Sequence, residues 1–386
     1  MQLQRNMMNL GHSLQVITCD GPDAPWNKNL PFGPIFIGRG DKREKNPLRI
    51  ASALSRVLND FDASLLHGIW TRQNIGFLRA WKGQTPYAVF PHGMLDPYFI
   101  KYFPFKHLKK AAYYKTICVP LLRDAHAVLF TCEEERRLAN TSYKPIVGRR
   151  VVVRYGIDDP TFRLNNYRGR LTEWADTTSR GKDVVLYLGR IHPKKGCDLL
   201  IKAFAKAAEQ DQSLHLAMVG PDAGGWTSQL KALAESLGVA HSISWLGPAY
   251  QDEKWFLYNI ASVFILPSHM ENFGMAVAES LSQCCPVLIS DKVNIHASIT
   301  RHNAGYVEVD TFDGTLALLR HWSTTPAEKR LVMKKNARQL FLNEFQAIQT
   351  AQDLLDVFQT DFRQLDRFSV QPRQNGSQIE PTGEIL

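Results

Sequence analysis

Cysteine is scarce and unpaired in this sequence, with six among 386 residues (Cys19, Cys118, Cys132, Cys197, Cys284, Cys285) and no Cys-x-x-Cys spacing. That excludes a disulfide-stapled scaffold and the usual zinc-finger spacings, and the six are expected to be small buried hydrophobes in a reducing cytoplasm. Long apolar runs are lacking too. No stretch of 18 apolar residues occurs, so no segment is expected to cross a membrane as a helix. The first twenty residues lack the charged-then-apolar order of a secretion signal. There is no repeat at solenoid period, no Gly-x-Gly-x-x-Gly and no Gly-Lys-Ser/Thr phosphate loop. Solenoids, dinucleotide-fingerprint enzymes and P-loop nucleotidases are thereby disfavoured.

What remains is ordinary globular composition, 44% apolar and 22% charged, long enough for two or three domains. The net charge of +9 is unevenly placed. Lys and Arg exceed Asp and Glu by 11 in residues 1–165, whereas the acids exceed the bases by 2 in residues 166–386. A cationic half suits an anionic partner such as membrane lipid, a phosphate-bearing substrate or nucleic acid; a merely solubilising surface is the plainer alternative.

Both halves alternate short apolar runs with helical stretches, the pattern of parallel sheets covered by helices. Strands are expected at Leu14–Cys19, Leu65–Trp70, Tyr87–Phe90, Ala125–Phe130 and Val151–Arg154. A second set is expected at Val184–Leu188, Leu214–Val219, Ser242–Trp245, Val263–Leu266, Pro286–Ile289 and Gly305–Val309. The polar, strandless residues 163–183 are expected to link a first domain at 1–162 to a second at 184–346. A helix at 347–368 and a disordered tail at 369–386 complete the plan. The fold class is therefore α/β, two doubly wound domains facing a cleft, with ligands at the carboxyl ends of the strands.

Two strings carry chemistry. Glu271-Asn272-Phe273-Gly274-Met275-Ala276-Val277-Ala278-Glu279 follows the strand Val263–Leu266. Gly274 lets backbone amides approach a ligand at a helix start, where a diphosphate can rest; Glu271 can accept from sugar hydroxyls and Glu279 from a ribose. Two solvated glutamates are the plainer alternative. Leu188-Gly189-Arg190-Ile191-His192-Pro193-Lys194-Lys195-Gly196 follows the first strand of the second domain. There Arg190 supplies a fork and Lys195 a point charge, a pairing suited to a pyrophosphate leaving group rather than only to solvent.

In order and spacing these strings, together with Gly220-Pro221, Trp245-Leu246-Gly247 and Pro267-Ser268, resemble family 4 glycosyltransferases, retaining enzymes of the GT-B fold. In the first half His67-Gly68-Ile69-Trp70 and Pro91-His92-Gly93-Met94-Leu95-Asp96-Pro97 resemble the members that build bacterial surface polysaccharides. The resemblance implies a metal-independent enzyme that moves a sugar from a nucleoside diphosphate to a glycan or lipid-linked acceptor, without a cofactor. It places Arg190 and Lys195 on the diphosphate and Glu271 on the sugar. The amides of Phe273, Gly274 and Met275 would lie nearby, Glu279 would meet the ribose, and Gly247 would lie near the base. His92 would face donor sugar and acceptor. His67 is left out of the site, as a histidine whose structural reading outweighs a functional one. Front-face displacement, with the leaving phosphate helping to deprotonate the acceptor, would need no carboxylate pair at glycosidase spacing.

Departures from the family are equally legible. Members open with a strand and a glycine-rich loop, whereas Met1-Gln2-Leu3-Gln4-Arg5-Asn6 reads as the first helix, so the first βα unit is expected to be missing. A catalytically inactive nucleotide- or carbohydrate-binding protein is the resulting alternative. Tyr155-Gly156-Ile157-Asp158 has tyrosine where the family has asparagine, which bears on the contact between domains. Asp60-Phe61-Asp62 spells a metal-transferase motif but falls before a strand's amino end, so no metal is expected. Lys101, Lys106, Lys109, Lys110 and Lys115 interleave with Tyr102, Phe103, Phe105, Tyr113 and Tyr114. They suit peripheral contact with an anionic inner membrane face, with a packed helix as the plainer alternative and no nucleic acid expected.

Overall fold

Apolar runs buried on both faces make parallel strands, and here they make two main sheets. The computed structural model describes residues 2–22, 33–37, 46–83, 85–98, 110–160, 167 and 169–365. The first half holds β1 (Ile17–Thr18), β2 (Ile35–Phe36), β3 (Ser64–His67), β4 (Tyr87–Phe90), β5 (Ala127–Phe130) and β6 (Arg150–Val152). The second holds β7 (Asp183–Leu188), β8 (Leu214–Val219), β9 (Ile243–Gly247), β10 (Val263–Leu266), β11 (Val287–Ser290) and β12 (Gly305–Glu308).

The second sheet is continuous, in the order β12-β11-β10-β7-β8-β9 and parallel throughout. Chain order reverses between β7 and β10, so the loops after these two strands flank the topological switch point. Val185, Leu186, Phe264 and Ile265 are wholly buried there. The helix Cys197–Ala208 buries Leu200, Ile201 and Phe204 against the sheet.

The first half is divided. Strands β3-β4-β5-β6 form one parallel sheet, while β1 and β2 pair only with each other. Between β1 and β3 lies a cavity of about 430 Å³, lined by Ile17, Thr18, Leu65, Leu66 and His67, with Ile50 behind them.

The chain returns to the first half at its end. Helix Ala347–Leu365 sets Ala351, Leu354 and Val357 against Ala88, Phe90 and Leu129. The crossing is close: the Ile157 amide donates to Phe345 O (3.0 Å) and the Ala347 amide to Ile157 O (2.9 Å). A Cβ on Gly156 would lie 2.2 Å from Phe345 O.

Several expectations need correction. The stretch read as a plain linker contains helix Arg170–Trp174, whose Leu171 is buried in the second core. Its Arg170 donates to Glu253 and to Leu246 O. Leu171, Trp174 and one well-partnered cation make that helix, too little to show as a pattern. Strand β2 was unannounced, since two residues carry no period. Cys284 is exposed and Cys19 and Cys132 are half-buried, so only three of the six cysteines are core residues. The tail at 369–386 and Lys101, Tyr102, Phe103, Phe105, Lys106 and Lys109 lie outside the described residues. Of the neighbouring aromatics, Tyr114 is buried and Tyr113 donates to Thr71 O, which places both in the packing of the first half.

Candidate active site

The second domain builds its side of the site from two loops. After β7, Pro193–Lys195 makes one 3-10 turn, capped by the His192 ring accepting from the Lys194 amide. It ends at Gly196, φ +67, where a Cβ would lie 2.1 Å from Pro267 O. Only glycine allows the post-β7 loop to press so closely on the post-β10 loop. The His269 amide ties the same loops by donating to Lys194 O at 2.9 Å. Lys195 and Glu271, 76 residues apart, meet there as an ion pair.

Glu271 is fixed by its backbone. Its amide donates to Lys292 O and its carbonyl accepts from the Asn294 amide. Gly274, φ +85, then starts helix Met275–Ser282, leaving first-turn amides pointed out of the strand ends. Phe273 is buried and Met275 is 39% exposed, so the backbone between them borders the cleft. One turn further, Glu279 accepts from Lys254 Nζ (2.5 Å) and Tyr258 OH (3.2 Å). Gly247, φ +68, ends β9 with open space where a Cβ would stand. Burial, then the Lys194 and Arg190 cations, pulls the Lys195 ammonium down to about 8. Arg190 is exposed beside it. This corner brings together two cations, the amides of a helix start and a carboxylate.

The first domain contributes the loop after β4. His92 has φ +50, an uncommon conformation for a side-chain-bearing residue. Glu135 explains how it is held: one carboxylate oxygen accepts from the Gly93 amide (2.6 Å), the other from the Thr131 amide and hydroxyl (both 2.7 Å). Burial pushes the Glu135 carboxyl up. Sequence reading missed Glu135, which is the last of three consecutive glutamates after Cys132 at a helix start, and nothing in that run singles it out. Burial, then neighbouring His67, pulls His92 down to about 4, so it is neutral at ordinary pH.

The two sides meet. A Cβ on Gly93 would lie 2.8 Å from Asn272 Oδ1, and Asn272 Nδ2 donates to Thr131 Oγ1 at 3.3 Å. Tyr155 packs edge-on against both His92 (6.0 Å between centroids) and Phe273 (5.3 Å). The tyrosine that departs from the family pattern thus joins the domains instead of weakening their contact. The loops that carry His92 and Glu271 are therefore in contact, with Lys195 paired to Glu271 on the second-domain side. His67, set aside by sequence reading, lies within hydrogen-bond distance of His92. Asp60-Phe61-Asp62 lies at the amino end of β3, and among the described residues no group of three His, Cys, Asp or Glu can hold a metal.

Two parallel α/β domains, with sheets of four and six strands, packed against each other match the GT-B class. Over 94% of its length the chain superposes on a glycosyltransferase from Rickettsia africae (TM-score 0.74, 16% identity, 93% of that chain). It also superposes on Anabaena HepE in complex with UDP and glucose (TM-score 0.64, 16% identity, 80% and 81% of the two chains). Residues 1–159 match the family described as Glycosyltransferase Family 4, and residues 173–340 match Glycosyl transferases group 1. The chain belongs to the family 4 glycosyltransferases. Among curated proteins it is similar to the D-inositol 3-phosphate glycosyltransferase of Nocardiopsis dassonvillei, 30% identical over 175 residues, 44% of this chain and 40% of that one. The chain spans about two-fifths of that relative's length.

Proposed function

We propose that this chain is a retaining glycosyltransferase that moves a sugar from a nucleoside-diphosphate donor to a glycan or lipid-linked acceptor in polysaccharide biosynthesis. The observation that carries the reading is the Lys195–Glu271 pair, set by two interlocked loops at the switch point between β7 and β10. A diphosphate entering there would replace Glu271 as the partner of Lys195. It would take Arg190 and the amides around Gly274 as further donors. Glu271 would then be released to the hydroxyls of the transferred sugar. Glu279 is already held by Lys254 and Tyr258 in a fixed orientation, which suits a ribose diol. Gly247, with no side chain to fill the space above β9, would leave room for the base. His92 would meet the reacting sugar and acceptor. UDP and glucose in HepE support a nucleotide-sugar donor.

The bond from anomeric carbon to diphosphate oxygen would break as the acceptor oxygen bonds the same face. The acceptor proton would pass to the departing phosphate, so no protein carboxylate pair is required. No helix among the described residues is long and apolar enough to cross a membrane. Peripheral binding to an anionic inner membrane face would rest on the cationic first half. We assign the acceptor to residues 1–162 and the donor to 184–346, joined by 163–183, whose helix Arg170–Trp174 packs on the second core.

The cavity between β1 and β3 favours a second reading. It divides the first half's strands, and a cleft bounded by a divided sheet could bind nucleotide without completing transfer. Titrating the protein with UDP, GDP, ADP and TDP sugars, followed by transfer assays with lipid-linked glycans, separates the two. Binding with transfer supports the enzyme. Binding without transfer to any acceptor supports the inactive binder, and absence of both removes the donor site.

A further inference from the structure

We propose that His67 is a positioning residue for His92: its Nδ1 accepts from His92 Nε2–H, fixing the tautomer and leaving His92 Nδ1 as the nitrogen that accepts from a sugar hydroxyl. This rests on the reading of His92 as the group that meets substrate. The relevant nitrogens are 2.7 Å apart. The ring centroids are 5.1 Å apart and the planes 9° from parallel. With nitrogens so close, centroids at that separation mean that the rings meet edge to edge in nearly one plane, the geometry of a direct N–H···N bond. Phe90 backs both, 13° from the plane of His67 and 16° from that of His92. Among the described residues Nδ1 of His92 has no hydrogen-bond partner.

Two neutral imidazoles cannot both donate along one line, so each ring dictates the tautomer of the other. The reading of His92 as the group that accepts from substrate selects the pair in which His92 donates. His67 ends β3 and borders the cavity beside β1, so its exposed ring can meet solvent at the other nitrogen. His92 packs on Phe90 and Tyr155, sits at φ +50 and, among the described residues, has no other hydrogen bond to hold its ring. With both rings carrying hydrogen on Nε2, His67 meets water, the shared bond is made, and His92 presents a lone pair on Nδ1.

The test uses the full chain labelled with ¹⁵N in histidine, with His92→Gln to assign the signals. The wild-type spectrum should show His92 protonated on Nε2 and bare on Nδ1 at neutral pH. His67→Asn places an amide oxygen where Nδ1 stood and should preserve that pattern. His67→Phe keeps a flat ring on Phe90 but offers no acceptor, and should move both His92 nitrogens toward tautomer-averaged positions. The His126 and His215 signals, distant from the pair, report that the fold is intact. In transfer assays His67→Phe should lose about tenfold in kcat with KM little changed, and His67→Asn should recover most of it. An unchanged His92 spectrum in His67→Phe, or a wild-type His92 protonated on Nδ1, overturns the proposal. So does a changed spectrum with unaltered kcat. A wild-type protein that transfers nothing overturns the proposed activity instead, while the spectra still decide the role of His67.

Discussion

The two halves of this chain use the same architecture with different completeness. In the second, six strands run unbroken and the paired loops at β7 and β10 lock together through Gly196. In the first, the sheet divides around a cavity of about 430 Å³, and the loop after β4 is held by one buried carboxylate, Glu135. Charge follows the same division: the excess cations lie in residues 1–165. A continuous sheet positions its loops by packing. A divided one relies on individual polar contacts, so single substitutions there should act more locally.

The largest expected effects lie in the second half. Glu271→Ala and Lys195→Ala should each cut transfer by about 10²–10³-fold, the scale for removing a charge-stabilising group, with circular dichroism unchanged. Comparable losses from Glu133→Ala, an exposed acid of the first half, would dissolve the distinction. Next in size is Gly196→Ala. Its Cβ would strike Pro267 O at an unfavourable φ, which should cost about 2–4 kcal/mol in denaturant melts. Gly83→Ala also has positive φ but open space, and should cost about 1 kcal/mol.

Glu135→Gln sharpens the comparison from the other side. It keeps the volume but loses one strong acceptor, so the Gly93 loop should loosen. Amide exchange should rise at Gly93 and Met94 while the second domain is unmoved. Spread of that effect to β7 or β10 would mean that the halves are not separately held.

Acid and base should act on different halves. An incoming diphosphate stabilises the protonated Lys195, whose free value is about 8. Affinity for a nucleoside diphosphate is therefore full below that value and should weaken as pH rises through it, with proton uptake on binding seen by calorimetry in buffers of different ionisation heat. His92 is held neutral by burial, at about 4 against an ordinary 6.5. The unfolded chain thus binds the proton first, and stability should fall as pH drops from about 6.5 toward 4. His92→Gln should flatten that slope. The smallest effect is at the surface: Arg154→Ala removes a partly exposed pair with Asp353 and should cost about 0.5 kcal/mol.

Most of the fold was legible because buried parallel strands are continuous apolar runs. Tyr87–Phe90, Leu214–Val219 and Val263–Leu266 were read to the residue. Elements that owe their existence to tertiary contacts were not. Strand β2 is two residues long, and helix Arg170–Trp174 is fixed by what Leu171 and Arg170 touch. In the site, Arg190, Lys195, Glu271 and Glu279 stood out because glycines and charges fall together at strand ends. Glu135 and His67 did not, because their importance lies in a partner 42 or 25 residues away. Tyr155 was legible as a departure, but its seat between His92 and Phe273 needed coordinates.

The most direct test is a melt of the wild-type protein and Lys195→Ala with UDP, GDP, ADP and TDP and their sugar conjugates. At about 100 times its dissociation constant a true ligand should add about 2.7 kcal/mol to wild-type stability. The account expects one base to raise the wild-type melting temperature, its sugar conjugate to do so at least equally, and Lys195→Ala to lose most of the shift. A cooperatively melting wild-type protein that no nucleotide shifts, or a shift that Lys195→Ala retains in full, would contradict a donor site at the β7–β10 switch point.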